Sequence, residues 1–257
     1  MFKRLRIALL LYVLLFVAVG QFLTARRSTD WDVPLAVDVY PVNGDGSASV
    51  QKYLDNLGPA EFDGIEIFFA AEARRYGVPL DRPIRILLAA QYSDALPPLA
   101  PDASMLGILS WSLRMRWLTE RLQWRSDAPR ADIVVFAVFH DAADAAALDR
   151  STALEKGLIA VVNLFAERTA RGTNQVVFAH EVLHTLGATD KYDLRDNAPR
   201  YPDGYAEPNA QPRLPQSKAE LMAGRIPLDE HRAEIPENLR QVLVGAATAK
   251  EIGWRRD

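Results

Sequence analysis

Hydrophobic residues fall along this chain in two alternating rhythms. Dense short runs, PLAVDVYPV (34–42), PIRILLAAQ (83–91), ADIVVFAVFHD (131–141) and GLIAVVNLF (157–165), predict buried strands. Elsewhere apolar positions recur at spacings of three and four. Phe62, Ile65, Phe69, Ala73 and Tyr76 predict a helix over 58–76, stopped by Gly77 and Pro79. Trp111, Met115, Leu118 and Leu122 predict another over 105–124. Val176, Ala179, Leu183 and Leu186 mark a third, beginning near Thr173 or Asn174, either of which can cap it. NGDGS and LPPLAP (96–101) read as turn and loop. Beyond Gly187 the chain turns loop-like through residue 218. A last helix is expected from Pro236, with Leu239, Val242, Ala246 and Ala249 on one stripe up to Trp254. Strands alternating with helices, then a loop-rich tail, predict one α/β (α+β) unit over 34–257. It has an upper lobe at 34–187 built on a mostly parallel, twisted sheet, and a small lower lobe at 188–257.

The helix at 105–124 carries three tryptophans and several arginines. Two readings compete: a helix lying on a membrane surface, or a helix packed on the core with its arginines in water. The second is the expectation.

The first residues change the picture most. A basic flank (1–6) with Lys3, Arg4 and Arg6 precedes IALLLYVLLFVAVGQFL (7–23), which has no charge. As a helix that run is roughly 25 Å long, close to the ~30 Å of a bilayer core. Arg26 and Arg27 follow, slightly fewer basic residues than before the run. A single-pass signal-anchor at 7–25 in the inner or plasma membrane is therefore expected, with the remainder extracytoplasmic (periplasmic). The alternative is secretion after cleavage at Ala18-Val19-Gly20. Residues 26–33 form a polar linker, in which Trp31 is either an interfacial anchor or part of the fold.

Composition mainly excludes. The 257 residues, 49% hydrophobic, suffice for one sizeable core. Net charge is −3 with both signs mixed, so no nucleic-acid partner is expected. There is no cysteine. That rules out disulfides, thiolate metal sites, a cysteine nucleophile and a cysteine lock on a metal. Nothing in the sequence speaks to oligomeric state.

The candidate chemistry sits in VVFAHEVLHTLGATDKYD (176–193), which holds two of the chain's four histidines. His180 and His184 are four apart, so on a helix they leave the same face and can meet one ion. Glu181 is rotated by about 100° and can stand beside that ion without binding it. Gly187 can take a positive φ, end the helix and turn the chain back. Such a turn can bring Asp190 in as third ligand, leaving one position open, as in a catalytic zinc site. Asp193 is a rival third ligand. Glu207 or Glu220 would serve in a two-histidine-plus-glutamate site, against which the short glycine-to-aspartate spacing argues. His140 and His231 have no metal spacing and are read as structural.

HEVLHTLGATD resembles the zinc-binding consensus of the metzincin metallopeptidases, H-E-x-x-H-x-x-G-x-x-H/D, and Met222 in AELMAG stands where that family has its turn methionine. The Asp in third place with Tyr192 after it is most similar to the snapalysin-like branch, and GATDKYD also to the immune-inhibitor-like bacterial peptidases. The specific likeness covers 174–224. It implies a five-stranded sheet above the helix, a cleft below, the strand at 157–165 as the edge lining that cleft, and a structural role for Met222. It further implies a membrane-anchored, Zn2+-dependent endopeptidase acting on peptides or proteins. His180, His184 and Asp190 would hold the ion, and Glu181 would be general base towards a zinc-bound water. Relatives use a tyrosine two residues after the methionine for the oxyanion; here that position is Gly224. Tyr192, Tyr201 and Tyr205 are the possible replacements.

Two other metal chemistries fit less well. Iron oxygenases place the carboxylate near the first histidine and need no glutamate after it. Intramembrane proteases set the motif in an apolar span, which 174–190 lacks. The real alternative is a non-catalytic extracytoplasmic interaction module that keeps a metal for stability. Glu181 discriminates, because a structural site needs no general base.

Overall fold

The computed structural model describes residue 12 and residues 27–99, 103–126, 128–143, 152–154 and 158–255. The expected anchor at 7–25 lies outside the described residues, Tyr12 apart. Among the described residues no helix is long and apolar enough to cross a membrane.

The four predicted strands are present as β1 (Leu35–Asn43), β2 (Ile84–Leu88), β3 (Ile133–His140) and β5 (Ile159–Phe165). A fifth, β4 (Thr152–Leu154), completes a sheet of order β2-β1-β3-β5-β4. The first four strands run parallel; β4 alone is antiparallel. The mixed α/β, mostly parallel architecture expected from the rhythm is therefore present. β1 and β3 are central and buried on both faces, which is why they read as continuous apolar runs. Their side chains divide by parity. Ile133, Val135, Ala137 and Phe139 enter one core, and Val134, Phe136 and Val138 the other.

Helices cover both faces. α1 (Ala48–Leu54), α2 (Asp63–Arg75) and α4 (Arg171–Thr185) bury residues in the larger core, through Val50, Phe69 and Phe178 among others. α3 (Met105–Arg125) packs on the opposite face through Trp111, Met115 and Leu118. Each of these large side chains is worth roughly 1.5–3 kcal/mol of transfer energy.

Several expectations need correction. The strand at 157–165 is not the outermost edge. β4 pairs with its first half, Thr152 opposite Val161 through Leu154 opposite Ile159. The alanine-rich stretch around β4 (141–156) has no strand rhythm of its own, and the three-residue strand is defined by its pairing with β5. The terminal helix expected over 236–254 is three pieces. They are a 3-10 turn (Leu239–Gln241), a short strand (Val242–Leu243) parallel to Ala219–Glu220, and α5 (Ala246–Glu251). Leu239, Val242 and Ala249 are buried as expected, but Ala246 is exposed. Sheet pairing to 219–220 outcompeted local helical spacing. Helix α4 starts at Arg171 without a side-chain cap. Asn174 instead accepts from the Phe165 N–H and donates to the Phe165 carbonyl, fastening the helix to the end of β5. Trp31 belongs to the fold. It is buried, its Nε1 donates to the Ile252 carbonyl, and its ring meets Trp254 edge-on.

Candidate metal centre

Helix α4 buries Val176, Phe178, Ala179, Val182 and Leu183 against the sheet. At 3.6 residues per turn, that leaves His180 and His184 on another face, side by side. Gly187 has φ 95°, and its N–H bonds to the His184 carbonyl. A left-handed turn of this kind is cheap only for glycine. It returns the chain so that Asp190 reaches both imidazoles.

The geometry of the three donors is tight. The two Nε2 atoms are 3.0 Å apart, and Asp190 Oδ1 lies 3.3 Å from His180 Nε2 and 3.1 Å from His184 Nε2. Each Nδ1 faces a carbonyl oxygen, Leu221 at 3.0 Å for His180 and Ala188 at 2.8 Å for His184. A carbonyl can only accept, so each neutral ring carries its proton on Nδ1 and turns a lone pair inward. Two nitrogen lone pairs and a carboxylate oxygen then converge with no hydrogen between them, and Asp190 Oδ1 is buried without a donor. Such a cluster demands positive charge, from a proton or a cation. Accordingly, although burial works against a charged His180, Asp190 and Glu181 outweigh it and raise its pKa. Burial likewise opposes the Asp190 carboxylate, but His180 and His184 hold its pKa well below the usual range. The donor separations fit a tetrahedral ion with bonds of about 2.0–2.1 Å, whose ligands stand roughly 3.3 Å apart. The carbonyls on Nδ1 are the outer partners that fix tautomer and ring angle in metal sites. Among the described residues these three form the one cluster of this kind.

Glu181 is buried next to the cluster. Its pKa is raised, first by burial and further by Asp190, with the two histidines opposing. The rival ligands are engaged elsewhere. Asp193 pairs with Arg195, and Glu207 accepts from Ser217. Glu220 lies behind the site, accepting from the Ala223 and Gly245 N–H groups and the Thr248 hydroxyl. His140 bonds Asn163, and His231 sits in the 229–232 turn, whose Asp229 accepts from its N–H.

Met222 is fully buried in a 3-10 turn (Leu221–Ala223) closed by Gly224 at φ 69°. This turn acts on the cluster through its backbone. The Leu221 carbonyl orients His180, and the Met222 carbonyl accepts from the Lys191 N–H, next to Asp190. Of the three candidate tyrosines, Tyr192 is the one beside the cluster. Burial first, then Asp190, raises its hydroxyl pKa. Tyr201 and Tyr205 stack on each other, with Arg213 over Tyr201.

Sequence reasoning missed the residues that hold Asp190 in place. Lys191 is buried and its ammonium bonds both oxygens of Glu251, which also accepts from the Thr189 N–H and hydroxyl. Arg200 donates to the Asp190 carbonyl. Lys191 within DKYD was the one local signal, a lysine inside an acidic run. Nothing in the sequence tied it to Glu251.

No protein-family model matches the chain, and no curated protein matches it. Among solved structures, one described as a chaperone-substrate complex is similar at 12% identity over 86% of this chain and 33% of its own, with a TM-score of 0.39. This chain thus spans about a third of that one, and a likeness of this order carries no argument.

Proposed function

We propose that this protein is a zinc-dependent endopeptidase of metzincin type, held at a membrane by residues 7–25 with its site on the extracytoplasmic side. One observation carries the reading: three inward-facing acceptors of the right type and spacing stand beside a buried glutamate that ligates nothing. His180, His184 and Asp190 would hold the ion. A divalent ion there supplies Lewis acidity, acidifying water and polarising a carbonyl.

The chain's own groups do the rest. Glu181, its pKa raised by burial, takes the proton of the attacking water and passes it to the leaving amine. The Tyr192 hydroxyl stays protonated and bonds Asp190; by turning from Asp190 to the substrate it would supply a hydrogen bond to negative charge developing on the carbonyl oxygen. An extended substrate pairs with the sheet at β4, its outermost strand. Met222 supports the cluster through its turn's carbonyls. The five-stranded sheet over the helix, with the buried Met222 turn against it, supports the metzincin resemblance.

The test is Glu181→Gln in the full chain. Cleavage of a generic protein substrate should fall by about 10²–10⁴-fold while zinc content and circular dichroism stay unchanged. Wild-type protein with full zinc that cleaves nothing from a broad peptide library would instead favour the metal-stabilised interaction module.

A further inference from the structure

Helix α3 has two apolar sides, and among the described residues only one is packed against the protein. Trp111, Met115 and Leu118 face the sheet. Leu106, Leu109, Leu113, Trp117 and Trp124, spaced by three, four, four and seven, fall on the opposite side within an arc of about 80°. Their exposures are large: 78% for Leu106, 68% for Leu113, 64% for Trp117 and 84% for Trp124. Arginines border the strip. Arg114, Arg121 and Arg125 lie along one flank and Arg116 along the other. The helix holds one acidic residue, Glu120, which pairs with Arg130. Arg121 lies over the Trp117 ring. This basic surface belongs to a chain of net charge −3.

We propose that this outer face of α3 docks on an anionic phospholipid bilayer, with the leucines and tryptophans in the interfacial layer and the arginines on lipid phosphates. The charge pattern selects lipid over an apolar protein helix, because the strip is flanked by arginines with a single acidic residue on the helix, a surface complementary to anionic headgroups. The chain's course agrees. Residues 24–30 separate the apolar run ending at Leu23 from the buried Trp31. Even fully extended they reach at most about 28 Å. Residues 126–132 lead from the Trp124 end of α3 to β3, and Asp132 pairs with Ala36 at the start of β1. The chain therefore enters β1 at the same end of the sheet that the Trp124 end of α3 leads to, with Trp31 itself buried in the core on the other face. The metal cluster lies on the other face of the sheet, so docking turns it away from the lipid.

The proposal does not rest on the peptidase reading; it draws on the expected anchor only for proximity. The test uses the full chain reconstituted in phosphatidylcholine vesicles, with or without phosphatidylglycerol, carrying acyl-brominated lipid. Bromine should quench tryptophan emission, more strongly with phosphatidylglycerol. Trp117→Phe/Trp124→Phe should lose most of that quenching with unchanged circular dichroism, since the other three tryptophans are buried. Arg114→Glu/Arg121→Glu should lose the dependence on anionic lipid. Quenching equal in wild type and the tryptophan variant would overturn the proposal. So would a blue-shifted, bromine-insensitive Trp117, which would put protein on the face, the N-terminal segment or a second copy. Carbonate extraction reports the anchor separately: a chain released by carbonate yet quenched by bromine loses the anchor and keeps the docking face.

Discussion

Helices α3 and α4 pack on opposite faces of one sheet, and their exposed sides differ completely. The side of α4 away from the sheet is polar, and its polar groups are used: two imidazoles converge on Asp190 and each Nδ1 meets a carbonyl. The side of α3 away from the sheet is apolar, with leucines and tryptophans facing solvent. The inward faces of both helices explain the fold; the outward faces carry what the fold does not need. A helix whose outward side is polar and converging offers donors to something small, as His180 and His184 do with Asp190. One whose outward side is apolar and flanked by arginines covers, or is covered by, something large.

Truncation tests this comparison most forcefully. Leu183→Ala, in the fully buried face of α4, should cost about 2–5 kcal/mol in urea unfolding. Leu113→Ala, on the outer face of α3, should stay within about 0.5 kcal/mol. Equal costs would mean that the outer face of α3 is packed against protein. Next comes metal removal. Zinc at a hundred times its dissociation constant should stabilise the chain by about 2.7 kcal/mol, and chelation should reverse the gain. His184→Ala should show no response to either, whereas Trp117→Phe should respond as wild type does.

The smallest effect concerns the clamp behind Asp190. Burial disfavours the Glu251 carboxylate, but the Lys191 ammonium and the Thr189 donors outweigh it and hold its pKa below the usual 4.5. A depressed carboxylate pKa contributes stability above the unfolded value and loses it as pH falls through the folded one. The stability difference between wild type and Glu251→Gln should therefore be flat near neutrality and shrink below about pH 4.5. A difference that grew on acidification would overturn that account of the clamp.

Much of this was legible in the chain. The parallel core strands were readable because residues buried on both faces leave long apolar runs. His180, Glu181 and His184 were readable because a helix converts a spacing of four into a shared face. Gly187 was readable because few other residues accept its φ. What escaped was pairwise and distant. β4 is defined by its partner strand, and residues 236–254 lost their helix to pairing at 219–220. On α3, two opposed apolar stripes blur the single stripe by which an amphipathic helix is recognised. The inward stripe is the one that spacing picks out; the tryptophans and arginines leave a membrane-surface helix and a core-packed helix with its arginines in water as competing readings.

The sequence alone determined the alternation of strands and helices, the paired histidines and the place where the helix must stop, because each depends on neighbours a few residues away. Only the tertiary structure shows Asp190 against both imidazoles with Asp193 turned to Arg195, and Tyr192 rather than Tyr201 or Tyr205 beside the cluster. It also assigned Leu221, Met222, Lys191 and Glu251 to hold the cluster in shape. The contacts of Leu221, Met222 and Glu251 with the cluster and its flank join atoms across 31 to 60 residues of chain, and those of Asp190 and Tyr192 depend on how the turn after Gly187 folds back. Burial, hydrogen-bond direction and charge make them in space, and no local spacing records them.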